Sequence, residues 1–526
     1  MIGFHLDLKA AHYRADYLAE LFPRLAAAGY THLFLEIEDK VRLKSTRGTA
    51  WCEAYSKDEF ARLLSLARRA GLTPIPLIQT LGHMEAILSH SSYHALRESP
   101  ASAYMLCPSS PQSVPFLIRY MDEVGELFDN PPFIHLGADE AWSLGSCPAC
   151  RAQVSATSKS DLFFRHMDKL FRHALSRGWR PVAWADMVLA HSESIERFDR
   201  GIVWMDWDYW TQESGSVDYK NWQSGAYGGP EIFSDAFFQS DMGRFAKGPD
   251  GRIRPWFHTD YLRDKGFDVI LAPATRCGGD HVFAPQLKHL GNVMGAALRA
   301  GREPRPLGFV VTSWALRLNH VETQWPALLI PQTAREHPAA DWRALRADLA
   351  EKALGRPAPA FFDAWQNLCP CFTLAESWRS IETDIHYYGQ HDSIPCLLGA
   401  LQKDGGVAKE RAMLEELLPR HGEGARILDA IAGQAPGENR CLRFWRFAAR
   451  AIRARAEEEI LFLDGLERPP DPARAAEMLL RLEALQDEYR GLLLETYTPA
   501  SVERELSMIF ATPWRHLMRL ARSRPV

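Results

Sequence analysis

The sequence predicts an α/β fold, a TIM (β/α)8 barrel over residues 1–335 followed by an α-helical C-terminal domain over 336–526, on three observations. Short apolar runs alternate with amphipathic helical stretches through the first part, as repeated βα units require. Eight such runs occur, and polar or aromatic residues gather just after them, where barrels of this kind build their sites. From residue 336 the strand-like runs stop and helical periodicity alone remains.

The strands are expected, in order, at 2–8, 32–37, 73–78, 133–136, 181–185, 202–207, 268–272 and 308–312. Most are near-continuous apolar runs, which suits parallel strands covered on both faces. The helix expected at 17–28 carries Leu18, Leu21, Phe22 and Leu25 on one face. Those at 58–70, 113–128, 160–177 and 281–300 share this pattern. The stretch 211–255 breaks the rhythm with Gly, Ser, Tyr and Asp between strands six and seven. A long loop at that face is expected to shape a substrate site. The C-terminal helices are expected at 340–353, 374–388, 409–418, 442–463, 472–493 and 501–521, with Pro469-Pro470 separating two of them.

Composition narrows the function. The chain has 526 residues, 46% hydrophobic and 24% charged, with a formal charge of -5. It has no basic block to meet nucleic acid or an anionic membrane surface. It has no apolar run of about 18 residues to span a bilayer. The start, Met1-Ile2-Gly3-Phe4-His5-Leu6-Asp7, lacks the basic and apolar regions of a signal peptide. Nine cysteines, an odd and sparse set, fit a reduced cytoplasmic protein better than a disulfide scaffold. Cys147-Pro148-Ala149-Cys150 has the spacing of two metal ligands. Structural zinc usually needs four, and no second CxxC or HxxxH follows, so two free or occasionally oxidised thiols are expected there, with zinc as the alternative, and no cofactor or metal is expected for the activity. No phosphate loop, dinucleotide fingerprint or serine elbow is present.

The most informative block is Phe133-Ile134-His135-Leu136-Gly137-Ala138-Asp139-Glu140, an apolar run ending in adjacent carboxylates. Two acids so close resist ionising together, and glycoside hydrolysis needs one protonated and one charged group. The other strand ends add to the same mouth. Strand one brings His5, Asp7 and Lys9, and strand two brings Glu36, Glu38 and Asp39. Strand three ends in Gln79-Thr80-Leu81-Gly82-His83-Met84-Glu85. Strand five gives Trp184 and Asp186, strand six Trp204 to Trp210, strand seven Thr275-Arg276, and strand eight Trp314 with Arg317 and Asn319 beyond it. Polar groups able to bind hydroxyls surround aromatic planes able to cover a pyranose.

His135-Leu136-Gly137-Ala138-Asp139-Glu140 resembles the His-x-Gly-x-Asp-Glu motif of glycoside hydrolase family 20, the β-N-acetylhexosaminidases. Ile37-Glu38-Asp39, the strand-three block and His5-Leu6-Asp7-Leu8-Lys9 resemble its hexosaminidase D-like subgroup, whose barrel has no preceding α/β domain. The resemblance covers the barrel and not the helical region.

It implies a substrate-assisted retaining mechanism, in which the sugar's own 2-acetamido oxygen attacks C1 and an oxazolinium ion forms. Glu140 is then the general acid and later the base for water. Asp139 orients the acetamido group and stabilises the developing charge. Trp184, Trp207 and Trp314 would wall the acetamido methyl, Tyr209 would donate to its oxygen, with Tyr219 and Tyr227 as competitors, and His83 and Glu38 would serve ring hydroxyls. The chain departs from better-known members on strand one, which lacks their Arg, and at Trp314-Ala315-Leu316, where Trp-x-Glu is usual. Hydroxyl contacts are expected from Asn319, Arg317 or Glu322 instead.

The leading expectation is thus an exo-β-N-acetylhexosaminidase acting on a β-linked N-acetylhexosaminide glycan or glycoconjugate, with a homo-oligomer left open. One alternative is an acetamido-dependent hydrolase of a modified or disaccharide unit, with Arg276 or Arg317 facing a charged substituent. The other is a non-catalytic sugar-binding barrel, against which a poised acid pair argues.

Overall fold

The computed structural model describes residues 1–526 except 214, 217, 304, 338–341, 371–404, 435, 468–470 and 523–526, and leaves the side chains of 317, 512 and 520 aside. Parallel strands β1 (Ile2–Asp7), β2 (His32–Glu36), β3 (Thr73–Leu77), β4 (Phe133–His135), β5 (Arg180–Trp184), β6 (Val203–Trp207), β7 (Asp268–Ala272) and β8 (Gly308–Ser313) follow one another around a closed barrel. Closure comes from β8 pairing with β1, in the register Ile2 to Phe309 and Phe4 to Val311. A short strand, Ala274–Arg276, extends the edge of β8.

The apolar runs explain why the barrel closes. Phe34, Leu77, Val182, Trp184, Met205 and Val310 point inward and pack into a solid barrel core. Their neighbours along the strands, such as Leu33, Leu35, Ile134 and Leu271, face the surrounding helices. Trp204 and Trp207 obey the same alternation. Trp204 is fully buried on the outside among Phe171, Phe198 and Phe267, whereas Trp207 faces the barrel mouth.

Crossover helices Ala15–Ala27, Lys57–Arg69, Ser113–Leu127 and Lys159–Ser176 lie where helical periodicity places them. Ser56 and Glu59 start the second with a capping box. The helix expected at 281–300 begins only at Lys288. Asp280 is the reason. Its carboxylate accepts the N–H groups of Cys277 and Gln286, both at 3.0 Å, and holds the preceding stretch as a loop. The β3 crossover contains a hairpin, Arg97–Ser99 with Ser102–Leu106, and the 211–255 stretch contains another, Tyr219–Asn221 with Ala226–Gly228.

Beyond the barrel the described elements are helices, among them Gly406–Ala432, Arg440–Glu467, Pro472–Leu494 and Pro499–Arg522. The first runs through Pro419, where sequence reading stops it. The helix expected at 374–388 lies outside the described residues. These helices pack on loops at the carboxyl ends of β1, β7 and β8. His320 stacks on Phe444 at 3.9 Å, Phe283 meets Phe447 and Tyr489 at 5.6 Å each, and Trp365 Nε1 donates to the Pro285 carbonyl at 2.8 Å. Among the described residues no helix is long and apolar enough to cross a membrane.

Candidate active site

The carboxyl ends of the strands open into one cavity of about 780 Å³. Its acidic wall comes from the segment after β4. There the backbone turns left-handed three times within four residues, with φ of 57° at Gly137, 72° at Ala138 and 51° at Glu140. For Ala138 and Glu140 this costs roughly 1–2 kcal/mol each, and such strain persists only where neighbours over-determine it. A side chain at Gly137 would collide with Gln79, and one at Gly82 with the Asp139 carbonyl. Thr80 Oγ1 donates to the Leu136 carbonyl at 2.6 Å, and the Glu140 N–H donates to Asp186 Oδ2 at 2.8 Å. The loops after β3 and β5 therefore clamp the acidic turn from both sides.

The clamp gives the two acids different surroundings. Asp139 is buried, and its Oδ1 has no hydrogen-bond partner in the protein. The Glu140 side chain is 38% exposed and faces the cavity. His83 Nε2 stands 3.3 Å from Asp139 Oδ2, 3.2 Å from Glu140 Oε2 and 3.3 Å from the Tyr104 hydroxyl. Burial opposes a charge on His83, but Asp139 and the hydrogen bonds to both acids lift its pKa well above the ordinary imidazole range. Asp186 is likewise pushed well up, first by burial and then by the charge of Asp139.

The floor is a polar network. Glu36 accepts from Gln79 Nε2 at 2.9 Å and pairs with His5 Nε2 at 3.0 Å. Burial alone would raise the Glu36 pKa; the His5 bond and the Lys9 charge hold it far below the usual range. Asp7 accepts the N–H groups of Lys9 at 2.7 Å and Ala315 at 2.8 Å. Opposite the acids stand aromatic planes. Trp314 Nε1 donates to the Tyr209 hydroxyl at 2.8 Å, and Tyr209 stacks on Trp207 at 5.1 Å. Trp142, Trp210, Trp222 and Tyr227 continue this wall outward.

Residues 13–223, which carry the acid pair and most of this wall, match the family model for the glycosyl hydrolase family 20 catalytic domain. Over these residues the chain is similar to the glycosyl hydrolase family 20 catalytic domain. It is 33% identical to bovine (Bos taurus) hexosaminidase D over 216 residues, 39% of this chain and 62% of that relative. It is 34% identical to human (Homo sapiens) hexosaminidase D over 189 residues, 35% of this chain and 39% of that one. The matched region thus spans less than two thirds of either relative. A family 20 exo-β-N-acetylglucosaminidase from Vibrio harveyi, solved with N-acetylglucosamine, aligns at 18% identity and a TM-score of 0.47, over 67% of this chain and 57% of its own.

Of the residues singled out in sequence, the cavity is lined by His83, Asp139, Glu140, Trp207, Tyr209 and Trp314. Trp184 lies beneath it, fully buried, 5.5 Å from the Trp314 ring and 4.5 Å from His135. Glu38 is also set back. It stands 3.5 Å from Lys9 Nζ, and Lys9 is the residue that reaches the cavity. Burial raises the Glu38 pKa well above normal, against the pull of Lys9.

Of the two competing tyrosines, Tyr227 lines the outer wall, whereas the Tyr219 hydroxyl donates to the Ser216 carbonyl. Two further expectations are corrected. Glu322 accepts from Tyr17 and Arg24, at 2.9 and 2.6 Å, and Asn319 donates to Asp280, so neither lines the cavity. Arg276 is buried and donates to the carbonyls of Asn319 and Ser313 rather than facing a substituent. The Arg317 side chain is not described. The lining instead includes Asp7, Lys9, Glu36 and Gln79. Sequence reading missed Tyr104, Lys220, Trp222 and Lys288; the alternating run Ser102-Ala103-Tyr104-Met105-Leu106 was the available signal for Tyr104.

Proposed function

We propose that the chain is a retaining exo-β-N-acetylhexosaminidase that releases terminal β-linked N-acetylhexosamine with the substrate's acetamido group as nucleophile. The observation that carries this reading is the buried, unpartnered Asp139 Oδ1 beside the half-open Glu140. A buried carboxylate oxygen without a donor calls for one, and an acetamide N–H at that point supplies it. Held there, the acetamido oxygen is directed at C1, and Asp139 offsets the positive charge that develops on the ring formed. Glu140, open to the cavity, protonates the departing oxygen and then takes a proton from the water that opens the oxazolinium ion.

The aromatic wall supports the same reading. Tyr209 accepts a bond from Trp314 Nε1 and lines the cavity, which puts its hydroxyl within reach of the acetamido oxygen. Trp207 and Trp314 offer apolar faces to the acetamido methyl. Asp7, Lys9, Glu36 and Gln79 are the set suited to ring hydroxyls, in place of the absent Arg.

The test compares aryl β-glycosides of GlcNAc, GalNAc and glucose, with Glu140→Gln as control and a thiazoline mimic of the oxazolinium ion as inhibitor. Turnover that requires the acetamido group, the β-anomer as first product and thiazoline binding far tighter than N-acetylhexosamine are expected. Equal turnover of the glucoside would overturn the mechanism.

A further inference from the structure

One side-chain cluster outside the cavity has the composition of a metal centre. Glu98, Cys107, Cys147 and Cys150 bring one ligand atom each to within 4.8 Å of one another. Cys107 Sγ is 3.6 Å from both Cys147 Sγ and Cys150 Sγ, and Glu98 Oε2 is 3.1 Å from Cys150 Sγ. These separations exclude disulfides, whose sulfurs lie about 2.05 Å apart. They come near the edge of a tetrahedron about a zinc ion, since a Zn–S bond of about 2.3 Å sets neighbouring sulfurs roughly 3.8 Å apart.

Four acceptor-rich groups do not gather in a protein interior without a reason. Glu98 and Cys150 are almost wholly buried, and thiols are weak donors. Glu98 is hydrogen-bonded to the Cys147 N–H, the Ser146 hydroxyl and the Cys150 thiol, but among the described residues no side-chain cation pairs with its charge. A divalent cation supplies that pairing. The donors around the cluster are arranged for anionic ligands. The Cys150 N–H donates to Cys147 Sγ at 3.2 Å, and the Cys147 N–H to Glu98 Oε1 at 2.8 Å, which leaves Oε2 directed at the sulfurs. Ser109 Oγ lies 2.9 Å from Cys150 Sγ. Cys147 caps the helix Pro148–Ala156, whose N-terminus favours negative charge. Such outer contacts orient first ligands in metal sites.

We propose that Glu98, Cys107, Cys147 and Cys150 bind a structural zinc ion with four protein ligands. Three soft thiolates and one carboxylate in a closed tetrahedral set select zinc over magnesium or calcium. Binding releases the thiol protons to solvent and involves no oxidation. None of the four residues lines the active-site cavity, so the ion takes no part in bond cleavage and the assignment stands apart from the proposed activity.

Its position indicates its purpose. Glu98 lies in the β3 crossover hairpin, which carries Tyr104, and Cys107 directly follows it; Cys147 and Cys150 belong to the segment that follows Glu140. Tyr104 donates to the Glu140 carbonyl at 3.1 Å. The ion joins, from behind, the same two loops that meet at His83, Tyr104 and Glu140.

The test uses the full chain, purified without chelators or a polyhistidine tag. Elemental analysis is expected to give roughly one zinc per chain. Cys147→Ser, which keeps a good helix cap while removing a thiolate, is expected to lose it, and Glu98→Gln to weaken it. Protein stripped with a strong chelator is expected to regain a higher melting temperature on adding zinc chloride, and zinc is expected to protect three thiols from alkylation. Stripped wild type that takes up no zinc, shows no thermal shift and has equally reactive thiols with and without it would overturn the proposal. Zinc content unchanged in both Cys147→Ser and Cys107→Ser, or stoichiometric iron in its place, would overturn it as well.

Discussion

The backbone N–H of Glu140 donates to Asp186 Oδ2 at 2.8 Å, so a carboxylate at the end of β5 fixes the left-handed residue that ends the β4 turn. Asp186 does not line the cavity and acts through Glu140. Asp186→Ala is expected to lower kcat by about 10²-fold with little change in KM, because small displacements of a catalytic group cost about that much. Asp186→Asn, which keeps an acceptor oxygen, is expected to recover most of the loss. Parallel losses in kcat and KM for both variants would show that Asp186 does not act by positioning Glu140.

Glu140→Gln is expected to keep the fold and to bind substrate, but to lose about 10²–10⁴-fold in turnover of glycosides with poor leaving groups. Activated aryl glycosides need the proton least and should suffer least in the first step. Kinetics over a series of leaving groups measure this directly.

Asp139→Ala is expected to be impaired on activated and unactivated substrates alike. On the proposed mechanism the function lost is placement of the acetamido group by Oδ1, which has no partner in the protein and which no leaving group replaces. If the two variants showed the same dependence on leaving-group pKa, separate roles for the two acids would be refuted.

The pair His289–Asp280 gives a stability prediction. His289 Nε2 lies 2.8 Å from Asp280 Oδ1, and both side chains are fully buried. Burial works against the charge on His289, but Asp280 and Cys277 outweigh it and raise its pKa to about 9. The folded state therefore holds this proton more tightly than the unfolded chain, whose His titrates near 6.5. The resulting stabilisation, on the order of 3 kcal/mol, is complete below about pH 6.5 and lost as pH rises through about 9. Urea unfolding across that range should show the decline in the wild type and a flatter profile in His289→Gln.

Much of this fold is legible in sequence because a parallel barrel writes its strands as apolar runs. Strands β1 to β8 lie within a residue or two of their expected places. The acid pair is legible for the same reason, since it directly follows such a run. Contacts made between crossovers are not. His83 reads as a hydroxyl ligand, but its position between Asp139 and Glu140 depends on how two loops approach. Cys147 and Cys150 read as half a ligand set because Glu98 and Cys107 come from the preceding crossover, with no spacing to connect them. Glu38 and Trp184 sit on the right strands, but only the local twist sets their depth.

The helices that rest on the loops after β1, β7 and β8 share one continuous apolar cluster with the outer side of the barrel. Phe283, from the loop that begins at the cavity wall, is enclosed by Phe447, Tyr489 and Phe510 of three different helices. Loosening the helices by heat is therefore expected to disturb the mouth as well. The shared cluster is expected to tie both parts to a common melting event, so that a cavity made at Phe447, which does not line the mouth, lowers the temperature at which the site is lost.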